Sequence, residues 1–126
     1  MHEHTPERKQ ILLVEDDEQS IQYVQVLLRN TWDVTATAWA DEAWDILNHK
    51  GIDLVLMDLS LPGDENGLDL TMKIRKSPNH AALPIIAVTA HAFPADRVRC
   101  IEAGCNAYLS KPFERKDLID TIRAFI

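Results

Sequence analysis

Residues 53–58 read DLVLMD, and this stretch decides the fold class because four consecutive apolar residues lie between two aspartates. An apolar run without polar alternation is typical of a strand that is buried on both faces, as in a parallel sheet. We therefore predict a strand over residues 53–57 that ends at Asp58. Similar apolar runs predict further buried strands over residues 11–14, 84–88 and 107–109.

Longer amphipathic stretches separate these runs and predict helices. Pro94 suits the first turn of one helix and Gly104 suits its C-terminal cap. A weak alternation over residues 34–38 predicts an additional strand at an edge of the sheet. The other helices are predicted around residues 17–30, 40–47, 67–76 and 118–126. Strict alternation of strand and helix implies an α/β fold, a doubly wound five-stranded parallel sheet with helices on both faces.

The composition is that of one soluble domain and argues against two function classes. With 126 residues, of which 46% are hydrophobic, the chain is long enough for a single core. Its net charge of -7 argues against direct binding of nucleic acid, which needs a basic surface. The apolar runs are too short to span a membrane, and we expect a cytoplasmic location. Residues 1–9 are polar and predict a flexible tail before a domain over residues 10–126.

The cysteine pattern does not indicate a metal site. Cys100 and Cys105 are the only cysteines in the chain, and the five histidines are not spaced to complete a zinc site with them. We therefore expect both thiols to be reduced and to serve the packing of the domain.

Polar residues follow four of the predicted strands, at the point where each apolar run stops. Parallel strands place their carboxyl ends along the same edge of a sheet, so these residues should meet in one crevice. Carboxylates brought together raise each other's pKa unless a cation lies between them. A crevice with three acids, a hydroxyl and a lysine indicates a divalent metal and a phosphoryl group. The residues are Glu15, Asp16, Asp58, Thr89 and Lys111.

Four stretches in this order and spacing resemble a known family. They read ILLVEDDE, DLVLMDLSLPG, PIIAVTAHA and GCNAYLSKPF. The chain resembles the receiver domain of bacterial response regulators in two-component signalling, over roughly residues 10–126. The resemblance implies a flavodoxin-like sheet with the strand order 2-1-3-4-5, in agreement with the alternation of strands and helices.

The resemblance also implies the chemistry of the crevice. Asp58 looks like the phosphoacceptor, which takes a phosphoryl group from a partner histidine kinase or histidine phosphotransfer protein. Glu15 and Asp16 look like the acidic pair that holds Mg²⁺. Asp58 and the backbone carbonyl of Ser60 would be the further ligands of the metal.

Three more residues look like those that sense the phosphoryl group in this family. Thr89 and Lys111 would bond its oxygens, and Tyr108 looks like the aromatic switch whose rotamer follows Thr89. The bond between Lys111 and Pro112 resembles one that the family holds cis. The implied output is contact with a downstream protein target. The chain would not be an enzyme beyond accepting and slowly losing its own phosphoryl group.

Two alternatives stay open on the residues themselves. Asp17 is predicted to cap the following helix, but a shifted register would make Asp16 and Asp17 the metal pair. The alternative function is a small Mg²⁺-dependent phosphatase with an aspartate nucleophile. Such enzymes carry a second aspartate two residues after the nucleophile, where this chain has Ser60. A flavin carrier is disfavoured because the acids EDDE after the first strand would repel the flavin phosphate.

The loop after Asp58 departs from the family pattern. Gly67 lies nine residues after Asp58, whereas the family usually reaches its loop glycine in eight. A longer surface loop costs little stability, so we expect a changed rate of dephosphorylation or a changed choice of partner. His91, two residues past Thr89, is either near the phosphoryl group or an exposed loop residue without a role.

Overall fold

The computed structural model describes residues 8–59, 61, 63, 65–90 and 93–126. Strands and helices alternate through these residues, as predicted. The strands are β1 (Gln10–Val14), β2 (Asp33–Thr37), β3 (Leu54–Met57), β4 (Ile85–Thr89) and β5 (Ala107–Ser110). The helices are α1 (Glu18–Leu28), α2 (Ala40–His49), α3 (Gly67–Lys76), α4 (Pro94–Ala103) and α5 (Arg115–Arg123).

The strands form one parallel sheet in the order β2-β1-β3-β4-β5, which confirms the predicted topology. β2 lies at an edge, as its weak alternation indicated. Val14 pairs with Met57 and with Thr37, so β1, β2 and β3 end side by side. Because β4 and β5 run in the same direction, all five strands deliver the residues that follow them to one edge of the sheet.

Two apolar cores cover the two faces of the sheet, which explains why the strands are continuously apolar. Successive residues of a strand point to opposite faces, so Leu12 joins one core and Leu13 the other. Burying one such side chain stabilises the fold by about 1.5–3 kcal/mol. The first core also contains residues of α2, α3 and α4, and the second contains residues of α1 and α5. Both cysteines are free and buried in the first core, in agreement with the expected thiols.

The helix ends follow the predicted capping residues. Asp17 accepts a hydrogen bond from the Ser20 amide at 3.0 Å and caps α1. Pro94 occupies the first turn of α4, and Gly104 ends this helix with a φ of 117°. A Cβ at Gly104 would also lie 2.6 Å from the side chain of Arg75, so the position has room only for glycine.

The described residues of the N-terminal segment are attached to the domain. Arg8 donates to the carbonyl oxygens of Thr31 at 3.3 Å and Trp32 at 3.1 Å, and the carbonyl of Lys9 accepts from the Asp33 amide at 3.1 Å. Residues 1–7, the rest of the predicted tail, lie outside the described residues. Among the helices of the described chain, none is long and apolar enough to cross a membrane.

Candidate metal and phosphoryl site

The three acids predicted from the sequence lie together at the carboxyl edge of the sheet. The Glu15 amide donates to the Thr37 carbonyl at 2.9 Å, and the Asp58 amide donates to the Val14 carbonyl at 2.9 Å. These bonds continue the strand ladders by one residue and hold Glu15 beside Asp58. The carboxylate oxygens of Glu15, Asp16 and Asp58 lie within 4.8 Å of one another. Glu15 and Asp58 are 2% and 7% exposed, whereas Asp16 is exposed.

This cluster has the chemistry of a site for a hard divalent cation. It offers carboxylate oxygens, which are the ligands that Mg²⁺ and Ca²⁺ prefer. Asp17 is not part of the cluster, because its carboxylate caps α1. The acids that lie beside Asp58 are therefore Glu15 and Asp16, and not Asp16 and Asp17. Residues of this type and spacing could hold a metal ion.

Lys111, which directly follows β5, brings a positive charge to the acids. Its amide donates to the carbonyl of Thr89 at 2.8 Å, which holds its backbone beside the end of β4. Its ammonium group bonds Glu15 and lies 3.4 Å from Asp58 Oδ2. The Lys111–Pro112 peptide bond is cis, as the resemblance implied. The lysine offsets part of the acidic charge, since it supplies one positive charge to three carboxylates.

The pKa values in the cluster show the cost of this arrangement. The pKa of Glu15 is raised to about 7. Burial is the largest cause, and the hydrogen bond with Asp58 raises this pKa by more than the hydrogen bond with Lys111 lowers it. Burial alone would lower the pKa of Lys111, but its bonds to Glu15 and Asp58 outweigh burial and raise that pKa. The acids therefore favour an additional cation, because ionising Glu15 beside Asp58 is costly without one.

Thr89 completes the set of strand ends. It is the last residue of β4 and is fully buried. A cavity of about 350 Å³ opens between these groups. Four strands thus deliver polar groups to one cavity, in the arrangement that the sequence predicted. Its lining includes Glu15, Asp16, Asp58, Thr89 and Lys111.

Tyr108 lies in β5, the strand that precedes Lys111. It pairs with Ala87 across the ladder and packs against the core that contains α2, α3 and α4. Its hydroxyl is buried and has no hydrogen-bond partner among the residues that the structure describes. A buried hydroxyl without a hydrogen bond costs about 1–3 kcal/mol. The packing of the Tyr108 ring must offset this cost in the present rotamer.

The loop from β3 to α3 is described in part. Gly63, with a φ of 90°, packs beneath the half-exposed indole of Trp39; a Cβ there would lie 3.6 Å from the ring. At Gly67 a Cβ would lie 2.0 Å from the carbonyl oxygen of Asp58, so the loop must return to this point with a glycine. The predicted ligand Ser60, and also Pro62, Asp64 and His91, lie outside the described residues.

One contact near the site was not predicted from the sequence. Tyr23 of α1 donates its hydroxyl to the carbonyl of Phe113 at 3.1 Å, and the two rings lie 5.8 Å apart between centroids. Phe113 follows Lys111 by two residues. The partners are 90 residues apart, and the sequence offers a tyrosine on a helix with no signal of what it touches.

Similarity to known proteins extends over most of the chain. The family model of the response regulator receiver domain matches residues 11–123. The polar-differentiation response regulator DivK of Brucella ovis is 33% identical over 119 residues, which cover 94% of this chain and 96% of that protein. The response regulator Rre1 of a Synechocystis species is 35% identical over 115 residues, 90% of this chain. The chain spans about half of the length of Rre1, since the match covers 49% of it.

Solved structures agree with the sequence relatives. The receiver domain of the sensor histidine kinase PA1611 from Pseudomonas aeruginosa superposes with a TM-score of 0.86 and is 36% identical. The superposition covers 94% of this chain and 97% of the PA1611 receiver domain. That receiver domain holds a magnesium ion in its active-site cleft. The chemotaxis protein CheY4 of Vibrio cholerae, at 22% identity, covers 94% of this chain and 99% of that one and shares the fold with a TM-score of 0.87.

Proposed function

Because the chain belongs to the family of response regulator receiver domains, we propose that it is the phosphoacceptor of a two-component phosphorelay. Asp58 accepts a phosphoryl group from the histidine of a partner kinase or phosphotransfer protein. The convergence of three carboxylates, Thr89 and Lys111 on one cavity is the observation that supports this proposal.

The phosphoryl transfer is a substitution at phosphorus. A carboxylate oxygen of Asp58 forms the new P–O bond while the P–N bond of the phosphohistidine breaks. The electron pair of that bond stays on the imidazole nitrogen, which then takes a proton. Glu15, Asp16, Asp58 and the carbonyl of Ser60 would hold Mg²⁺. The bound metal would reduce the repulsion between the attacking carboxylate and the anionic phosphoryl group.

Lys111 and Thr89 have separate work once Asp58 is phosphorylated. The new group adds about 1.5 to 2 negative charges beside Glu15, which attracts the ammonium of Lys111. The Thr89 hydroxyl donates to a second phosphoryl oxygen. Two charge-assisted hydrogen bonds at about 1.5–3 kcal/mol each approach the roughly 5.5 kcal/mol that carries a 1:99 mixture of two states to 99:1.

The product is a changed surface and not a released molecule. We propose that Tyr108 follows Thr89 to a new rotamer, and that a downstream protein recognises the resulting surface. In this proposal residues 10–126 form the receiver domain. We also propose a cytoplasmic location, on the basis of the polar, acidic composition.

The test is incubation of the protein with Mg²⁺ and acetyl phosphate, followed by intact mass measurement. We expect one phosphoryl group on the wild type and on Asp45→Asn, a control at an exposed aspartate of α2, and none on Asp58→Asn. An adduct that persists in Asp58→Asn, or no adduct on the wild type, would overturn the proposal. Rapid hydrolysis of many acetyl phosphate molecules per chain would support the phosphatase instead.

A further inference from the structure

Tyr23 joins α1 to the segment that carries Lys111. Its hydroxyl donates to the Phe113 carbonyl at 3.1 Å, and its ring packs against the Phe113 ring with a tilt of 45°. Phe113 itself packs against the apolar core that α1 and α5 share. One tyrosine therefore contacts both the backbone and the side chain of a residue two positions from the lysine.

The short segment from Lys111 to Phe113 is held at both ends. On one side of the segment, the Lys111 amide bonds the Thr89 carbonyl at 2.8 Å. On the other side, Tyr23 holds Phe113. The ammonium of Lys111 is carried on a four-carbon stem of limited length, so the position of its backbone decides which oxygens it can reach.

A second cavity lies beside the Lys111 stem and borders both the acids and the aromatic pair. It measures about 420 Å³, and its lining includes Tyr23, Phe113, Lys111 and Asp58. Its wall is mainly apolar, and the aromatic pair forms part of it. If the aromatic pair separated, the segment would lose the contact that keeps the lysine directed at Glu15 and Asp58.

We propose that Tyr23 is a positioning residue that holds Lys111 in reach of the phosphoryl group on Asp58. The inference rests on the function proposed above. Tyr23 does not contact the reacting atoms and acts through Phe113 and the backbone of Lys111. Removing the hydroxyl alone should slow phosphorylation about threefold, the size expected for one hydrogen bond. Removing the whole side chain should slow it about tenfold.

The test measures the rate of phosphorylation by acetyl phosphate with Mg²⁺ in Tyr23→Phe and Tyr23→Ala. Val26→Ala is the matched control, because Val26 is an exposed residue of the same helix. We expect the maximal rate constant to fall in both Tyr23 variants, with the half-saturating concentration of acetyl phosphate unchanged. Tyr23→Phe keeps the ring and remains a fair test if Tyr23→Ala does not fold.

A double-mutant cycle separates positioning from a general loss of structure. In a Lys111→Met background, Tyr23→Phe should cause no further loss of rate, because no ammonium is left to position. An equal loss in both backgrounds, or rates equal to wild type in the single variants, would overturn the role of Tyr23. If the wild type and Val26→Ala take up no phosphoryl group, the proposed function itself fails.

Discussion

Two regions around β5, a lysine side and a tyrosine side, differ in how completely their polar groups are bonded. On the lysine side (Lys111, Phe113 and Tyr23), the ammonium pairs with two carboxylates and the tyrosine hydroxyl bonds a carbonyl. On the tyrosine side (Tyr108 of β5), the buried hydroxyl of Tyr108 has no partner among the described residues.

This difference separates the chemistry from the response. Groups that must meet the phosphoryl group in a fixed geometry gain from being bonded in advance. A group that must change its rotamer gains from a resting state that is only slightly preferred, since a small bias then moves it. In the proposed function, Lys111 has the first role and Tyr108 has the second.

The largest expected effect is that of removing the metal ion, because Lys111 leaves part of the acidic charge unbalanced. Lys111 supplies one positive charge to three carboxylates, so it cannot replace a metal. Chelation with EDTA should slow phosphorylation by acetyl phosphate about a hundredfold or more, because the metal contributes several kcal/mol. Intact mass over time measures this rate, and added Mg²⁺ should restore it. Equal rates with and without EDTA would show that the lysine side is sufficient alone.

The next effect is a pH dependence of stability without metal. Burial and the neighbouring Asp58 together raise the pKa of Glu15 from 4.5 to about 7, so the folded state binds its proton more tightly than the unfolded state. This contribution is complete below about pH 4.5 and is lost as the pH rises through 7. In EDTA, the free energy of unfolding should fall over this range by about 3 kcal/mol at most.

Urea denaturation at several pH values measures this effect. Glu15→Gln should flatten the profile, whereas Glu102→Gln, at an exposed glutamate of α4, should keep it. A profile in which stability rises from pH 4.5 to 7 and which Glu15→Gln leaves unchanged would contradict the raised pKa of Glu15.

A matched pair of substitutions compares the two sides directly. Tyr108→Phe removes a buried hydroxyl that has no partner among the described residues and should raise the free energy of unfolding by about 1 kcal/mol. Tyr23→Phe removes a bonded hydroxyl and should lower it by about 0.5–1.5 kcal/mol. Both are read from urea denaturation without metal. Changes of the same sign would remove the distinction between the sides.

The smallest effect is expected at Asp16. Its carboxylate is exposed and lies beside two others, so repulsion without metal is real but screened by water. In EDTA, Asp16→Asn should therefore raise the free energy of unfolding by less than about 1 kcal/mol. The measurement is the midpoint of thermal unfolding, which should rise slightly. With saturating Mg²⁺ the order should reverse, because the variant has lost a ligand. A clear loss of stability in EDTA would contradict the picture of repelling acids.

Much of the fold and the cluster could be predicted because both depend on local patterns. Continuous apolar runs mark the buried strands, and the shared direction of parallel strands brings Glu15, Asp58 and Lys111 together. The strand predicted from Asp53 begins one residue later, since the Asp53 carboxylate accepts the Gln10 amide at 2.7 Å. The edge strand ends at Thr37, whose hydroxyl accepts the next turn's Trp39 amide at 3.3 Å.

The contacts that distinguish the two sides could not be predicted. The bond from Tyr23 to Phe113 depends on how α1 is rotated about its own axis over the sheet, which no local spacing determines. Lys111 was expected to face the phosphoryl group, yet it also bonds Glu15, because the longer glutamate side chain reaches it. The buried position of the Tyr108 hydroxyl, which has no partner within the described part of the chain, results from packing against residues distant in the sequence.

A crystal structure with Mg²⁺ and beryllofluoride, which mimics a phosphoryl group on aspartate, tests the contrast between the two sides most directly. We predict that the Tyr23 hydroxyl keeps its bond to the Phe113 carbonyl and that Lys111 bonds a fluorine. The Tyr108 hydroxyl should leave its buried position and gain a protein or water partner. A Tyr108 hydroxyl that stays buried and unpaired, or a broken bond between Tyr23 and Phe113, would contradict the account.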